Sequence, residues 1–361
     1  MFRINYFLLF FTTLLLLTAC NNEAPKVTKE QAAAFSIVIE NEVRDMKINF
    51  LEKNILLPVF MERIYETGEL KSTSGLEQQM KKMLSANSYE KNIYEIMGAK
   101  GRFKKVKQYE KEGRQHIIYR VSGQGGFTYM DMEIGSLKAQ VGIADMFLYN
   151  TGENLSASVA DLLKKLLSPE HAAIAAQLET TLNNLSRYLK DANYEFAKKE
   201  FERLPYDIRN NKLYEMRYLE IMTKIGGQQY LDFQQKIETK YADDAGFQLM
   251  MIDVYLNQKK YDQALISINT LDSFINKDPF LEYYRGLILN MKGEPAKAIT
   301  HFEKIVKADP QFADPYPDLV VSYTEQKQYD SARRYFELYK ALRTADKEVI
   351  NYVEDKYPDL K

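Results

Sequence analysis

A period of 34 residues near the carboxy terminus constrains this chain more than any other feature. Tyr261, Ala264 and Ile268 recur as Pro295, Ala298 and Phe302, and again as Tyr329, Ala332 and Phe336, without a gap. The segment before each of these keeps step: Ile252 and Tyr255 become Gly286 and Leu289, then Val320 and Tyr323. Apolar residues at spacings of three and four predict helices, and two helices per period predict stacked helical pairs that bury their apolar faces against their neighbours. Such a chain grows by addition and not around one centre.

The pattern resembles the tetratricopeptide repeat, in which small residues let paired helices approach and large ones fill the space between pairs. The clearest copy runs from Pro279 to Phe312, with Gly286 as the small contact, Gly293 at the turn, Ala298 and Phe302 in the second helix and Pro310 as terminator. Asn193 to Pro205 matches a second helix through Tyr194, Ala197, Phe201 and Leu204. Lys212 to Asp243 keeps the length and apolar spacing of a pair (Tyr214, Tyr218, Ile221, Tyr230, Ile237) without the small residues. The expectation is an all-α array of about five helix pairs over 169–346, closed by an end helix and tail over 347–361.

The resemblance implies a protein-binding groove lined by the first helices of successive pairs. Leu249, Asp253, Tyr283, Leu287, Asn290, Met291, Val321 and Thr324 are expected there. This set is mostly apolar and neutral, which disfavours a clamp for a terminal carboxylate. The same face could instead contact the chain's own amino-terminal domain or a second copy, and self-association is left open.

At the other end, Arg3 precedes an apolar stretch from Phe7 to Leu17 that is too short to span a bilayer. It closes in Leu17-Thr18-Ala19-Cys20, which resembles the lipobox of bacterial lipoproteins. That resemblance implies a signal peptide over 1–19, cleavage before Cys20, and acylation of Cys20, with palmitate-like chains tethering the protein to a membrane. Asn21 and Asn22 after the cysteine favour the outer membrane of a bacterial envelope, in a leaflet left open, and the polar residues to Glu30 read as a stalk. An ordinary secretory leader is the alternative. Cys20 is the only cysteine, which excludes an internal disulfide or a thiolate metal site.

Between stalk and array, 31–168 reads as an α+β domain with helices packed on one face of a four-stranded antiparallel sheet. Phe35, Val38, Ile39, Val43, Met46 and Phe50 mark one helix from Thr28 to Asn54, which Pro58 should break near Asn54 to Leu57 ahead of a short helix to Glu66. Lys71 to Gly75 reads as a loop and Leu76 to Met97 as helical, with a break at Asn87-Ser88. Strands follow at Phe103–Tyr109, Gln115–Val121, Phe127–Ile134 and Leu137–Tyr149, with turns at Glu112-Gly113, Gly123 to Gly126 and Gly135-Ser136. Leu155 to Leu167 is helical, and Ser168-Pro169-Glu170 starts the array with His171 beside it. Element order alone weakly resembles cystatin-like and nuclear-transport-factor-like rolls.

Chemistry is sparse. Gly123 to Gly126 precedes a strand and has no lysine beside it, so it is a turn and not a phosphate loop. His116 could pair with Asp131, Glu133 or Asp145 for acid–base work, although charges on a solvated sheet face are the ordinary expectation. Lys100, Arg102, Lys104, Lys105 and Lys107 read as a solvated strand edge, with anionic lipid or acidic glycan as sharper alternatives. With 49 basic against 50 acidic residues, no field draws the chain to nucleic acid. No catalytic residue, metal ligand or cofactor is assigned. The reading is a lipid-anchored, non-enzymatic scaffold that binds envelope proteins through its groove. The alternative is a small-ligand or glycan-binding, even enzymatic, roll that the array positions, which a pocket holding His116 or Asp145 would favour.

Overall fold

The computed structural model describes residues 26–360 apart from 48, 69, 71–74, 79, 82–88, 99–100, 124–125, 167–174 and 276. Cys20, the leader, most of the stalk, the Asn87-Ser88 break, Lys100, Ser168-Pro169-Glu170 and His171 lie outside the described residues. An antiparallel sheet with its own helices is followed by a long helical array, so the chain is α+β and then all-α.

Helix α1 (Lys29–Arg44) starts on a reciprocal cap: the Thr28 hydroxyl accepts from the Gln31 amide, and the Gln31 side chain accepts from the Thr28 amide. It stops ten residues earlier than the apolar pattern predicts. Met46 and Asn49 adopt left-handed conformations that no helix accommodates, and a separate α2 (Phe50–Asn54) follows. The second break falls as expected, where Ile55 pairs with Ile143 at the edge of the sheet and α3 (Leu57–Glu66) starts with Pro58 in its first turn. Helix α4 (Tyr89–Met97) leads to the sheet.

The sheet has five strands in sequential antiparallel order, not four: β1 (Arg102–Lys111), β2 (Arg114–Gly123), β3 (Gly126–Leu137), β4 (Gln140–Leu148) and a short β5 (Glu153–Asn154). Glu112-Gly113 is a two-residue turn with both φ positive, as the first hairpin requires. The turn expected at Gly135-Ser136 is instead at Lys138-Ala139, with φ of 47° and 68°. Gly135 stays within β3 for a packing reason. A Cβ there would lie 3.0 Å from that of Ala144 on β4, with Val59 and Leu56 in ordinary contact, so the glycine relieves crowding against the neighbouring strand.

One sheet face (Ile117, Tyr119, Val121, Met130, Met132) packs with Ile39, Val43, Phe60 and Ile64 of the amino-terminal helices and with α5 (Leu155–Leu166). The other face is not solvated, contrary to expectation. Ile118, Tyr129 and Tyr149 share a core with Ala245, Ile252, Phe280 and Leu281 of the array. The sheet is therefore the middle layer of three.

The array comprises α6 (Ala175–Lys190) with α7 (Tyr194–Glu202), a short α8 (Tyr206–Arg209), then four pairs: α9 (Lys212–Ile225) with α10 (Gln228–Lys240), α11 (Ala245–Asn257) with α12 (Tyr261–Ile275), α13 (Phe280–Met291) with α14 (Pro295–Ala308), and α15 (Pro315–Glu325) with α16 (Tyr329–Lys340). Helix α17 (Lys347–Lys356) covers the last pair. Ala197, Ala264, Ala298 and Ala332 are fully buried, one in each of four second helices. A Cβ on Gly286 would lie 2.4 Å from the Phe302 ring, so any larger residue would have to displace that ring.

Candidate functional site: the array face and the sheet that fills it

The hairpin of β2 and β3 enters the face lined by the first helices of the pairs. Gly123 pairs with Gly126 at its tip, and Phe127 beside it meets Tyr284 at 4.3 Å and Phe280 at 5.7 Å between ring centroids. Behind this aromatic contact, Arg120 reaches Asp278 in the loop before α13, and Tyr129 donates to the same carboxylate at 3.0 Å. The Arg120 guanidinium stacks 4.0 Å over Phe280. Burial and the Asp278 charge both push the Tyr129 hydroxyl well above the usual phenol range, so it remains a donor.

Contacts continue along the array in both directions. Lys212 at the start of α9 pairs with Asp244 and donates to the Gly152 carbonyl at 2.8 Å. Gly246 in α11 faces the backbone of Tyr149 and Gly152, where a Cβ would come within 2.6 Å of both. Toward the carboxy terminus, Lys104 pairs with Asp309 at 2.9 Å, and Arg102 donates to the Gln311 carbonyl at 2.6 Å. Arg102 and Lys104 of the basic run thus dock onto the array, while the next two lysines do not. Lys105 binds Ser36 and Gln108, and Lys107 lies over the Tyr109 ring.

The hairpin leaves two cavities on either side of it. One of about 460 Å³ lies between Phe127 and Thr128 of the sheet and Met216, Leu249, Met250 and Asp253 of α9 and α11. The other, about 690 Å³, has Tyr283, Tyr284 and Phe312 in its wall and Arg343 and Lys347 at the loop into α17. Of the residues expected on the groove, Leu249 and Asp253 line the first cavity and Tyr283 the second. Met291 is exposed, whereas Leu287, Val321 and Thr324 are half-buried. Asn290 is engaged with Ser322, donating to its hydroxyl at 2.9 Å. Tyr283 faces inward more than a ligand-reading residue would, packed on Phe302 and Phe312 and bonded to Asp318. Burial, with Asp314 nearby, pushes the Asp318 carboxyl up to about 6 against the pull of that hydrogen bond. Burial likewise raises Asp253.

The sequence reading missed Phe127, Arg120, Asp278 and Tyr284 as the residues that fill this face. A signal was present: Ile117, Ile118 and Tyr119 are apolar in succession, the mark of a strand covered on both sides.

A third cavity, of about 420 Å³, lies between the sheet and α11–α12, with His116, Asp131, Asp145, Phe147, Tyr149 and Phe274 in its wall. Asp131 accepts from the Tyr109 hydroxyl and sits 3.3 Å from His116 Nδ1. Glu133 is held by Arg63 and Arg114, while Asp145 accepts from the Ser156 hydroxyl and amide and from the Met146 amide. Burial raises Asp145 despite those donors. These three carboxylates are buried, not solvated as expected. Among the described residues, no group of three or more His, Cys, Asp or Glu is placed to hold a metal.

The family model of the tetratricopeptide repeat matches residues 281–311. The carboxy-terminal helices are a tetratricopeptide-type array. Among solved structures the chain is similar to MamA, at 16% identity over 50% of this chain and 94% of that one with a TM-score of 0.38. It is also similar to Pseudomonas aeruginosa PilF, at 14% identity over 53% and 95% with a TM-score of 0.36. No curated protein matches the chain. Tetratricopeptide repeats are in general protein-interaction modules and not catalysts, and this array presents its groove with a sheet lodged inside it. Among the described residues no helix is long and apolar enough to cross a membrane.

Proposed function

We propose that this protein is a lipid-anchored scaffold of a bacterial envelope that holds a partner protein in the parts of the array groove its own sheet leaves free. The observation that carries the reading is the pair of cavities flanking Phe127, both floored by first helices of the repeats. The 460 Å³ cavity offers Met216, Leu249 and Met250, adaptable apolar side chains suited to an extended segment or a helix edge. The lipobox-like Leu17-Thr18-Ala19-Cys20 supports anchoring, and Asn21-Asn22 supports the outer membrane.

The test places a photo-crosslinking residue in the living cell at Met250, at Arg343, and at Ile266 on the outer side of α12, where exposure is 63%. The expected result is one envelope protein captured from Met250 or Arg343 and absent from Ile266. Equal capture from all three positions would reject the groove. Cys20→Ser tests the anchor, since the variant should leave the membrane fraction or fail to mature, and retention at wild-type level would reject lipidation.

The second reading is a small-ligand roll, and the cavity holding His116 and Asp145 favours it. It calls for a ligand whose binding is lost in both His116→Ala and Asp131→Asn while capture at the groove persists.

A further inference from the structure

Helix α1 has two unlike faces. Ala32, Ser36, Ile39 and Val43 are buried against the domain core, whereas Ile37 is 60% and Val38 45% exposed, with Ala34 one turn before them. The helix lies on the sheet face opposite the array, so it forms the outer layer on that side of the molecule. Eight residues lie between Cys20 and Lys29, and the nine Cα-to-Cα steps span at most about 32 Å. We propose that this exposed face of α1 rests on the bilayer that holds the Cys20 anchor, with Ile37 and Val38 in the interfacial layer and the array directed away from the membrane.

The proposal depends on the lipoprotein reading of Cys20 and adds the orientation of the protein to it. Two aliphatic side chains would bind a membrane weakly on their own. A tether changes that, because contact becomes intramolecular and the short linker sets a high effective concentration of lipid beside α1. Weak contacts then suffice to select one orientation. The polar ends of the stripe, Glu30 and Asn41, confine contact to the middle of the helix and keep it shallow.

The chain has no tryptophan and one cysteine, which makes a direct test available. Ile37→Trp places a single indole on the proposed face, and Tyr352→Trp, at a site 56% exposed on α17, serves as the reference. The chain beginning at Cys20 is coupled through its thiol to a maleimide phospholipid in phosphatidylethanolamine and phosphatidylglycerol vesicles, part of them with brominated acyl chains. This tether forms whether or not the cell acylates Cys20, and acylation is read separately from the mass of the native protein. The expected result is a blue-shifted indole at position 37, quenched several-fold more by brominated lipid than the indole at position 352. Equal emission maxima and equal quenching would overturn the proposal. A blue shift at position 37 that grows with protein concentration in the absence of lipid would assign the face to a second copy, and would overturn it as well.

Discussion

Arg120 and Asp278 lie 158 residues apart in sequence and meet between the sheet and the array with side chains 5% and 6% exposed. A pair so far from water adds little net stability against an apolar substitute, but removing one partner strands the other's charge. Arg120→Leu or Asp278→Leu alone should each cost about 3 to 5 kcal/mol, and the double substitution much less than their sum. Denaturant unfolding of the four proteins checks this. Additive losses would mean that the two side chains do not act as a unit.

Gly286→Ala should destabilise the array by roughly 1 to 3 kcal/mol, because the added methyl enters the Phe302 ring. Phe302→Leu in the same chain should recover part of the loss by vacating that space. Thermal melts of the single and double variants decide the matter, and an unchanged melt of Gly286→Ala would refute the crossing.

Asp318 should make the array less stable as pH rises through the mildly acidic range. Its folded value, about 6, exceeds the ordinary 3.8, so between these pH values the folded state holds a proton that the unfolded chain has released. The cost is absent below 3.8 and complete above 6. Asp318→Asn should flatten this limb and raise the melting temperature at pH 7. A variant with the wild-type pH profile would remove Asp318 as the cause.

Glu282 works in the opposite direction. Burial disfavours its charge, but His301 at 2.7 Å, Arg285 at 2.8 Å and Lys304 at 3.4 Å outweigh that and hold it down to about 2. Its contribution is present above 4.5 and lost as pH falls toward 2. Glu282→Gln should cost roughly 1 to 3 kcal/mol near neutrality and nothing in strong acid. Parallel stability curves for variant and wild type across this range would contradict it.

The array was legible because close helix crossings demand small residues at fixed intervals, and Ala264, Ala298 and Ala332 announce themselves at one spacing. The Glu112-Gly113 turn was legible for the same local reason. Gly135 reads as a turn because a glycine that makes room for Ala144 on the next strand looks identical in sequence to one that reverses the chain. The break at Met46 to Asn49 left no proline or glycine to mark it. The groove was legible as a line of positions, but its occupant was not. Phe127 meets Tyr284 across 157 residues, a distance that periodicity does not reach, and only the doubly apolar run of β2 hinted that something covers its second face.

A solenoid of helical pairs behaves as a spring, since each pair can tilt slightly on the next. Here the sheet touches the array at Lys212, Gly246, Asp278 and Asp309, and so lies across its arc like a brace spanning the inside of a bow. Between those four points the curvature is fixed by the length of the brace. Whatever bending this array retains is confined to its two ends, around α6–α7 and α15–α17, and a partner seated between them meets a surface whose shape is set before it arrives.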